Sequence, residues 1–293
     1  MINNYKIAFW GSSEFSIFCL DELKNQGILP ALIITTPDQP KGRGLKLEAN
    51  SVKLWAKEND ILCKTPETLA NPGFVSELEN LKCDVSLVAS YGKIIPIEII
   101  NLPKYRTLNI HPSLLPKYRG PSPLQTQIIN NDQTTQAGQN IGVTIMQIDE
   151  KMDHGPIVAQ DTINIPNWPV NFEELEKITA KAGAVLFTKT LPDWISGKIK
   201  AVEQNHKLAT ITKKVEKADA ELDIINGKPF DNYLKFLAYS TSPHTFFFVE
   251  KDNKKIRVII KEAEFKDNQF IIRRIIPEGK KEMSYEDFLR GFI

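Results

Sequence analysis

The chain has 293 residues, 42% of them hydrophobic and 25% charged, with a formal net charge of +1. That is the make-up of a globular protein long enough for two modest domains, and no global field announces a nucleic-acid partner. Cys19, Cys63 and Cys83 are odd in number and lack a Cys-x-x-Cys pair. This argues against a disulfide framework or zinc site and for a reducing compartment.

The start, MINNYKIAFWG, has too short an apolar run for a signal peptide, and no stretch approaches the length of a membrane span. A cytoplasmic location, with no membrane and no metal, is therefore expected. Residues 5–10 read as a strand ending in Gly11-Ser12-Ser13, and a helix follows with Phe15, Phe18, Leu20 and Leu23 facing inward. A second strand over 30–35 completes a βαβ unit, which implies a parallel sheet with a right-handed crossover. The Gly-Ser-Ser turn is not a G-x-G-x-x-G fingerprint, so no dinucleotide site is assigned.

Residues 35–59 begin as a polar, basic loop carrying Lys41, Arg43 and Lys46, and pass into a helix near Asn50-Ser51. Cations at that density are ordinary in a solvated loop. A long loop directly after a strand is also where open α/β folds carry function. A short strand over 61–64 and a helix over 72–80 come next. The run DVSLVA, 84–89, is almost continuously apolar, as a strand buried on both faces should be. It ends in Ser90-Tyr91-Gly92-Lys93 at the carboxyl edge of the sheet, where Tyr91 reads equally as a ligand wall or as packing.

Residues 107–110 form the next strand, and they deliver Asn109 and His111 to one face at its carboxyl end, because strand side chains repeat every two residues. Ser113, Leu114, Leu115 and Pro116 follow, the two leucines reading as core. Residues 116–120 turn into a helix over 123–130, with Arg119 either a cation beside the site or part of an ion pair. Strands over 141–147 and 156–165 flank a connection that holds Asp153, with His154 read as a surface histidine. An amide, an imidazole and a carboxylate are what an acyl transfer needs, two to stabilise an oxyanion and one to manage protons.

A long amphipathic helix over 171–198 closes a first domain, 1–196, with 197–207 as connector and 208–293 as a second domain. Residues 1–204 carry 20 basic and 22 acidic side chains, and 205–293 carry 17 and 14, so the second part is slightly basic. Within it a helix over 230–238, β-rich runs over 244–250, 254–265 and 268–276, and a terminal helix over 284–292 suggest a small antiparallel barrel.

The blocks NIHPSLLPKYRG and GVTIMQIDEKMDHGPIV resemble the formyltransferases that use 10-formyltetrahydrofolate. The resemblance implies a Rossmann-like α/β catalytic domain followed by an OB-like barrel, with Asn109, His111 and Asp153 as the active site. It places the folate along Ser113, Leu114, Leu115 and Pro116, and its pterin near the loop of Tyr91 and Gly92. PDQPKGRGLKL looks like the insertion loop of methionyl-tRNA formyltransferases, which enters the acceptor stem of the initiator tRNA, and Arg43 matches that loop's arginine. PEGKKEMSYEDFLRG resembles the end of the same family, whereas LKFLAYSTSPHTFFF lacks the arginine and tryptophan often found before the barrel.

The expected activity is transfer of a formyl group from 10-formyltetrahydrofolate to methionyl-initiator tRNA, by a monomer. The alternative is an N-formyltransferase acting on an amino sugar nucleotide, which shares the core motif. A non-catalytic RNA-binding module fits poorly with Asn109, His111 and Asp153 all intact.

Overall fold

The computed structural model describes residues 5–41, 46–48, 50–130, 141–251 and 253–292. They divide into two compact units, neither continuous in sequence. The first comprises Met1–Gly120, Asn140–Ile163 and Glu176–Ile211, and the second Pro121–Gln139, Asn164–Leu175 and Thr212–Ile293.

In the first unit β1 (Ile7–Trp10), α1 (Glu14–Asn25) and β2 (Leu32–Ile34) form the expected βαβ unit. A two-stranded hairpin, β3 (Gln39–Lys41) and β4 (Lys46–Glu48), pairs Lys41 with Lys46 where the sequence suggested only a loop. Then come α2 (Ser51–Glu58), β5 (Leu62–Lys64), α3 (Pro72–Leu81), β6 (Val85–Val88), α4 (Ile97–Ile100) and β7 (Thr107–His111). The antiparallel pair β8 (Gly142–Gln147) and β9 (Ile157–Thr162) adds to the sheet edge. The sheet has seven strands in the order β5-β2-β1-β6-β7-β8-β9, parallel from β5 to β7.

Both faces of the central strands are covered, which is why β1 reads as an unbroken apolar run and β6 as one interrupted only by Ser86. On one face Phe9, Leu87, Leu108 and Ile110 pack with Phe15, Leu20 and Leu23 of α1 and with Ala184 and Phe187 of α6 (Phe172–Ile195). Cys19, not among the expected inward positions, is fully buried there too. Gly183 of α6 lies so close to β7 that an added Cβ would stand 2.3 Å from the Ile110 Cγ2. The lack of a side chain lets the helix seat directly on the strand that carries Asn109 and His111. On the opposite face Ala8, Trp10 and Val88 pack with Leu78 of α3 and Ile99 of α4. By register Asn109 lies on this second face, level with Val88 of β6.

Strand order reverses between β1 and β6, the position where open α/β sheets usually leave a ligand crevice. Here the turn after β1 is already occupied. The Ser16 hydroxyl accepts from Ser12 N (3.0 Å) and Ser13 N (3.1 Å) and donates to Ala89 O (2.6 Å). Ser12 Oγ donates to Tyr91 O at 2.7 Å. These bonds tie the two loops together and consume the N–H groups a phosphate would need, so the glycine turn is structural.

The stretch expected as a connector, 197–207, lies in the first unit, where Val202 pairs with Ile157 in an antiparallel bridge. Helix α5 (Pro123–Ile129), expected in the first domain, clusters with the C-terminal elements. In the second unit α7 (Pro229–Ala238) precedes β10 (Phe246–Lys251), β11 (Lys254–Lys266), β12 (Gln269–Pro277), β13 (Met283–Ser284) and α8 (Tyr285–Phe292). The strands form one four-stranded antiparallel sheet in that order, and Leu222, Phe247, Val258, Ile260, Ile275 and Phe288 make its core.

Candidate active site

Asn109 and His111 share one face of β7, roughly 7 Å apart along the strand by pleat geometry. Asn109 is half-buried, and among the described residues its side chain has no hydrogen-bond partner. His111 is buried, 4% exposed, and its Nε2 lies 3.0 Å from Tyr118 O. A carbonyl oxygen can only accept, so Nε2 carries the hydrogen and donates it. That leaves Nδ1 as the nitrogen open to chemistry. It faces Asp153 Oδ1 at 3.6 Å, within ion-pair reach and longer than a hydrogen bond.

Asp153 stands in the turn between β8 and β9 with φ at +50°, in the left-handed region. Its second oxygen, Oδ2, accepts from Gly120 N at 2.7 Å. Two residues on, Gly155 is indispensable to the turn, because an added Cβ would meet Gln147 O at 2.0 Å. The loop 116–120 therefore serves both partners, Tyr118 O orienting the imidazole and Gly120 N holding the carboxylate. Tyr118 and Gly120 take positive φ to make that loop. Thr210 fastens it, with Oγ1 accepting from Tyr118 N at 2.8 Å and its carbonyl accepting from Arg119 N at 2.9 Å.

Residues 113–116 are fixed from beneath. Thr144 Oγ1 donates to Ser113 O (2.6 Å) and accepts from Leu115 N (3.1 Å), and Gln160 Nε2 donates to Leu115 O (2.8 Å). Leu114 packs over Gly142, where an added Cβ would lie 2.5 Å from Leu114 Cδ2. Tyr91 is 2% exposed and meets Trp10 edge-on at 5.3 Å, so its ring is packing. Burial pushes its phenol up to about 12, and its hydroxyl has no partner among the described residues. Tyr91 and Gly92 lie just past the carboxyl end of β6, Gly92 with φ at +78°. Lys41 and Lys46 are backbone partners in the hairpin, and Arg43 lies outside the described residues.

Compared with known proteins, residues 5–191 match the formyl transferase family. A methionyl-tRNA formyltransferase from Carboxydothermus hydrogenoformans is 33% identical over 309 aligned positions, covering 98% of this chain and 96% of that protein. The chain belongs to the methionyl-tRNA formyltransferase family. Among solved structures, a 4-N formyltransferase from Francisella tularensis superposes with a TM-score of 0.64 at 21% identity, covering 89% of this chain and 98% of that one. An N-formyltransferase from Helicobacter canadensis, in complex with folinic acid and dTDP-3-aminofucose, gives 0.60 at 20% identity, covering 92% and 95%. At those identities the likeness is one of fold.

Several groups of this candidate site carry no signature in the sequence. The Tyr118 carbonyl and the Gly120 amide are backbone groups, which carry no residue signature. Arg119 is buried, 6% exposed, and its Nη2 donates to Gln204 Oε1 (2.6 Å) and to His206 Nδ1 (2.9 Å). His154, expected at the surface, is half-exposed yet engaged: Nδ1 lies 2.7 Å from Asp149 Oδ2, and the ring stacks on His206 with centroids 4.1 Å apart.

Proposed function

We propose that this chain moves the formyl group of 10-formyltetrahydrofolate onto the amino group of methionine carried by initiator tRNA, in the cytoplasm and as a monomer. The observation that carries this reading is the His111–Asp153 pair, 3.6 Å apart, with Asn109 on the same strand face and without a side-chain partner among the described residues, in a chain that aligns over 98% of its length with a methionyl-tRNA formyltransferase. When bound, the folate supplies a formyl group on nitrogen that becomes its leaving atom, so the chain must provide an oxyanion site and a path for the proton of the attacking amine.

Asn109 donates a neutral hydrogen bond to the formyl oxygen as negative charge builds there. His111 Nδ1, once protonated, donates a second, with Nε2 anchored on Tyr118 O. Asp153 steadies the positive imidazole, and the proton lost by the amine passes through it, directly or by way of water, onto the folate nitrogen as that nitrogen's bond to the formyl carbon breaks. In the same proposal the rigid backbone of Ser113, Leu114, Leu115 and Pro116, with that of Tyr91 and Gly92, walls the folate.

Lys41, Arg43 and Lys46, close together in the sequence after β2, are suited to the phosphates and base edges of an acceptor stem. In the second unit Arg257 lies 3.9 Å over the Phe246 ring and Lys255 4.0 Å over Phe248. A tRNA-binding role for 208–293 is supported by its slight basic excess, 17 basic against 14 acidic side chains over 205–293. Among the described residues no helix is long and apolar enough to cross a membrane.

The test is formyl transfer to charged initiator tRNA, to charged elongator tRNA and to an amino sugar nucleotide. Preference for the initiator tRNA, lost in Arg43→Ala while transfer itself persists, is expected. Transfer to the sugar nucleotide alone would replace this reading with the amino-sugar one.

A further inference from the structure

Gln204 lies in the stretch after α6, is 5% exposed, and touches no group proposed to meet substrate. Its amide has one orientation that satisfies its neighbours. Oε1 accepts from Arg119 Nε (3.1 Å) and Nη2 (2.6 Å), and Nε2 donates to Asp153 O (2.9 Å) and Gly155 O (2.7 Å). One side chain thus joins the two walls of the site. On one side is the loop whose Tyr118 carbonyl orients His111. On the other is the turn that presents the Asp153 carboxylate.

Asp153 holds a left-handed backbone, which Asp adopts at less cost than most L residues, and the bonds around it fix that conformation. Gln204 grips the carbonyls of Asp153 and Gly155 and accepts from Arg119, whose neighbour Gly120 binds the carboxylate through its N–H. We propose that Gln204 is a positioning residue that sets the turnover of the transferase by fixing the Asp153 carboxylate against His111. The proposal rests on the reading of His111 and Asp153 as the proton-handling pair. Misplacing a reacting group by about 1 Å can cost on the order of 100-fold in rate.

The experiment uses the full chain, with Gln204→Leu alone and combined with Asp153→Asn. Gln204→Met, a near-isostere without the amide, repeats the test should the leucine variant be unstable. We expect kcat to fall between about 10-fold and 100-fold, with KM for formyl-folate and for charged tRNA within about twofold of wild type. In the Asp153→Asn background the same substitution should change kcat by less than about threefold, because the effect travels through Asp153.

A second readout needs no activity. Hydrogen exchange of the Gly120 amide, protected by Asp153, should accelerate at least about tenfold in Gln204→Leu and in Gln204→Met. Loss of kcat of equal size with and without Asp153, or an unchanged Gly120 amide, would overturn the assignment. An inactive wild type with the exchange effect intact would fault the activity reading instead and leave the positioning role standing.

Discussion

Replacing Asp153 by Asn isolates one charge with little change of shape. The amide oxygen can still accept from Gly120 N, so the turn should keep its place. What disappears is the negative charge 3.6 Å from His111 Nδ1. At that separation, with an effective dielectric of about 20, a carboxylate and an imidazolium attract by about 4.6 kcal/mol. The two side chains are 5% and 15% exposed, so solvent removes part of this and leaves between about 2 and 4 kcal/mol. In transition-state terms that is a loss of roughly 30-fold to 1,000-fold in kcat. The new NH2 group would also donate toward Nδ1 and hold it as an acceptor, closing it to proton donation. The assay is steady-state formylation of charged initiator tRNA at saturating formyl-folate, with KM followed separately. Turnover within about threefold of wild type would refute the role given to Asp153.

Two further outcomes follow from packing. Gly155→Ala must push its turn away from Gln147 O, and thermal unfolding should show a loss of about 1–3 kcal/mol together with reduced kcat; a stable, fully active variant would mean that the turn yields freely. Tyr91→Phe deletes a buried hydroxyl that lacks a partner among the described residues, so denaturant unfolding should show stability raised by about 1 kcal/mol with formyl transfer unchanged. The phenol of Tyr91 is raised by burial from 10.0 to about 12, so the folded chain keeps a proton that the unfolded chain releases between those values. Stability present below about pH 10 is therefore lost as pH rises through that window, and Tyr91→Phe should flatten part of the fall in an unfolding series.

Much of the fold was legible in residue periodicity, because the central strands are apolar on both faces and the helices carry one apolar stripe. The run 84–89 became β6, and Asn109 and His111 fall on one face of β7 as the strand period requires. The site was legible where side chains carry it and illegible where backbone does, as with Tyr118 O and Gly120 N. Residues 197–207 looked like a connector because they are polar and unpatterned, yet that polarity holds the site together: Gln204 bonds to Arg119, Asp153 and Gly155. The grouping of α5 with C-terminal elements arises from tertiary packing, which no local window encodes, whereas the β3–β4 hairpin is local and was hidden by the proline and charged residues that make its strands read as a loop. Tyr91 was undecided in sequence because an aromatic at a strand end serves packing and ligand equally well, and its edge-on contact with Trp10 settles its ring as packing.

The most direct measurement is single-turnover formyl transfer by Asn109→Ala with charged initiator tRNA and formyl-folate both saturating. Removing one oxyanion donor is worth about 3–4 kcal/mol, so the rate should fall roughly 100-fold to 1,000-fold with both substrates still bound. A rate within a few fold of wild type would contradict the central claim that the Asn109 amide of β7 stabilises the charge on the formyl oxygen.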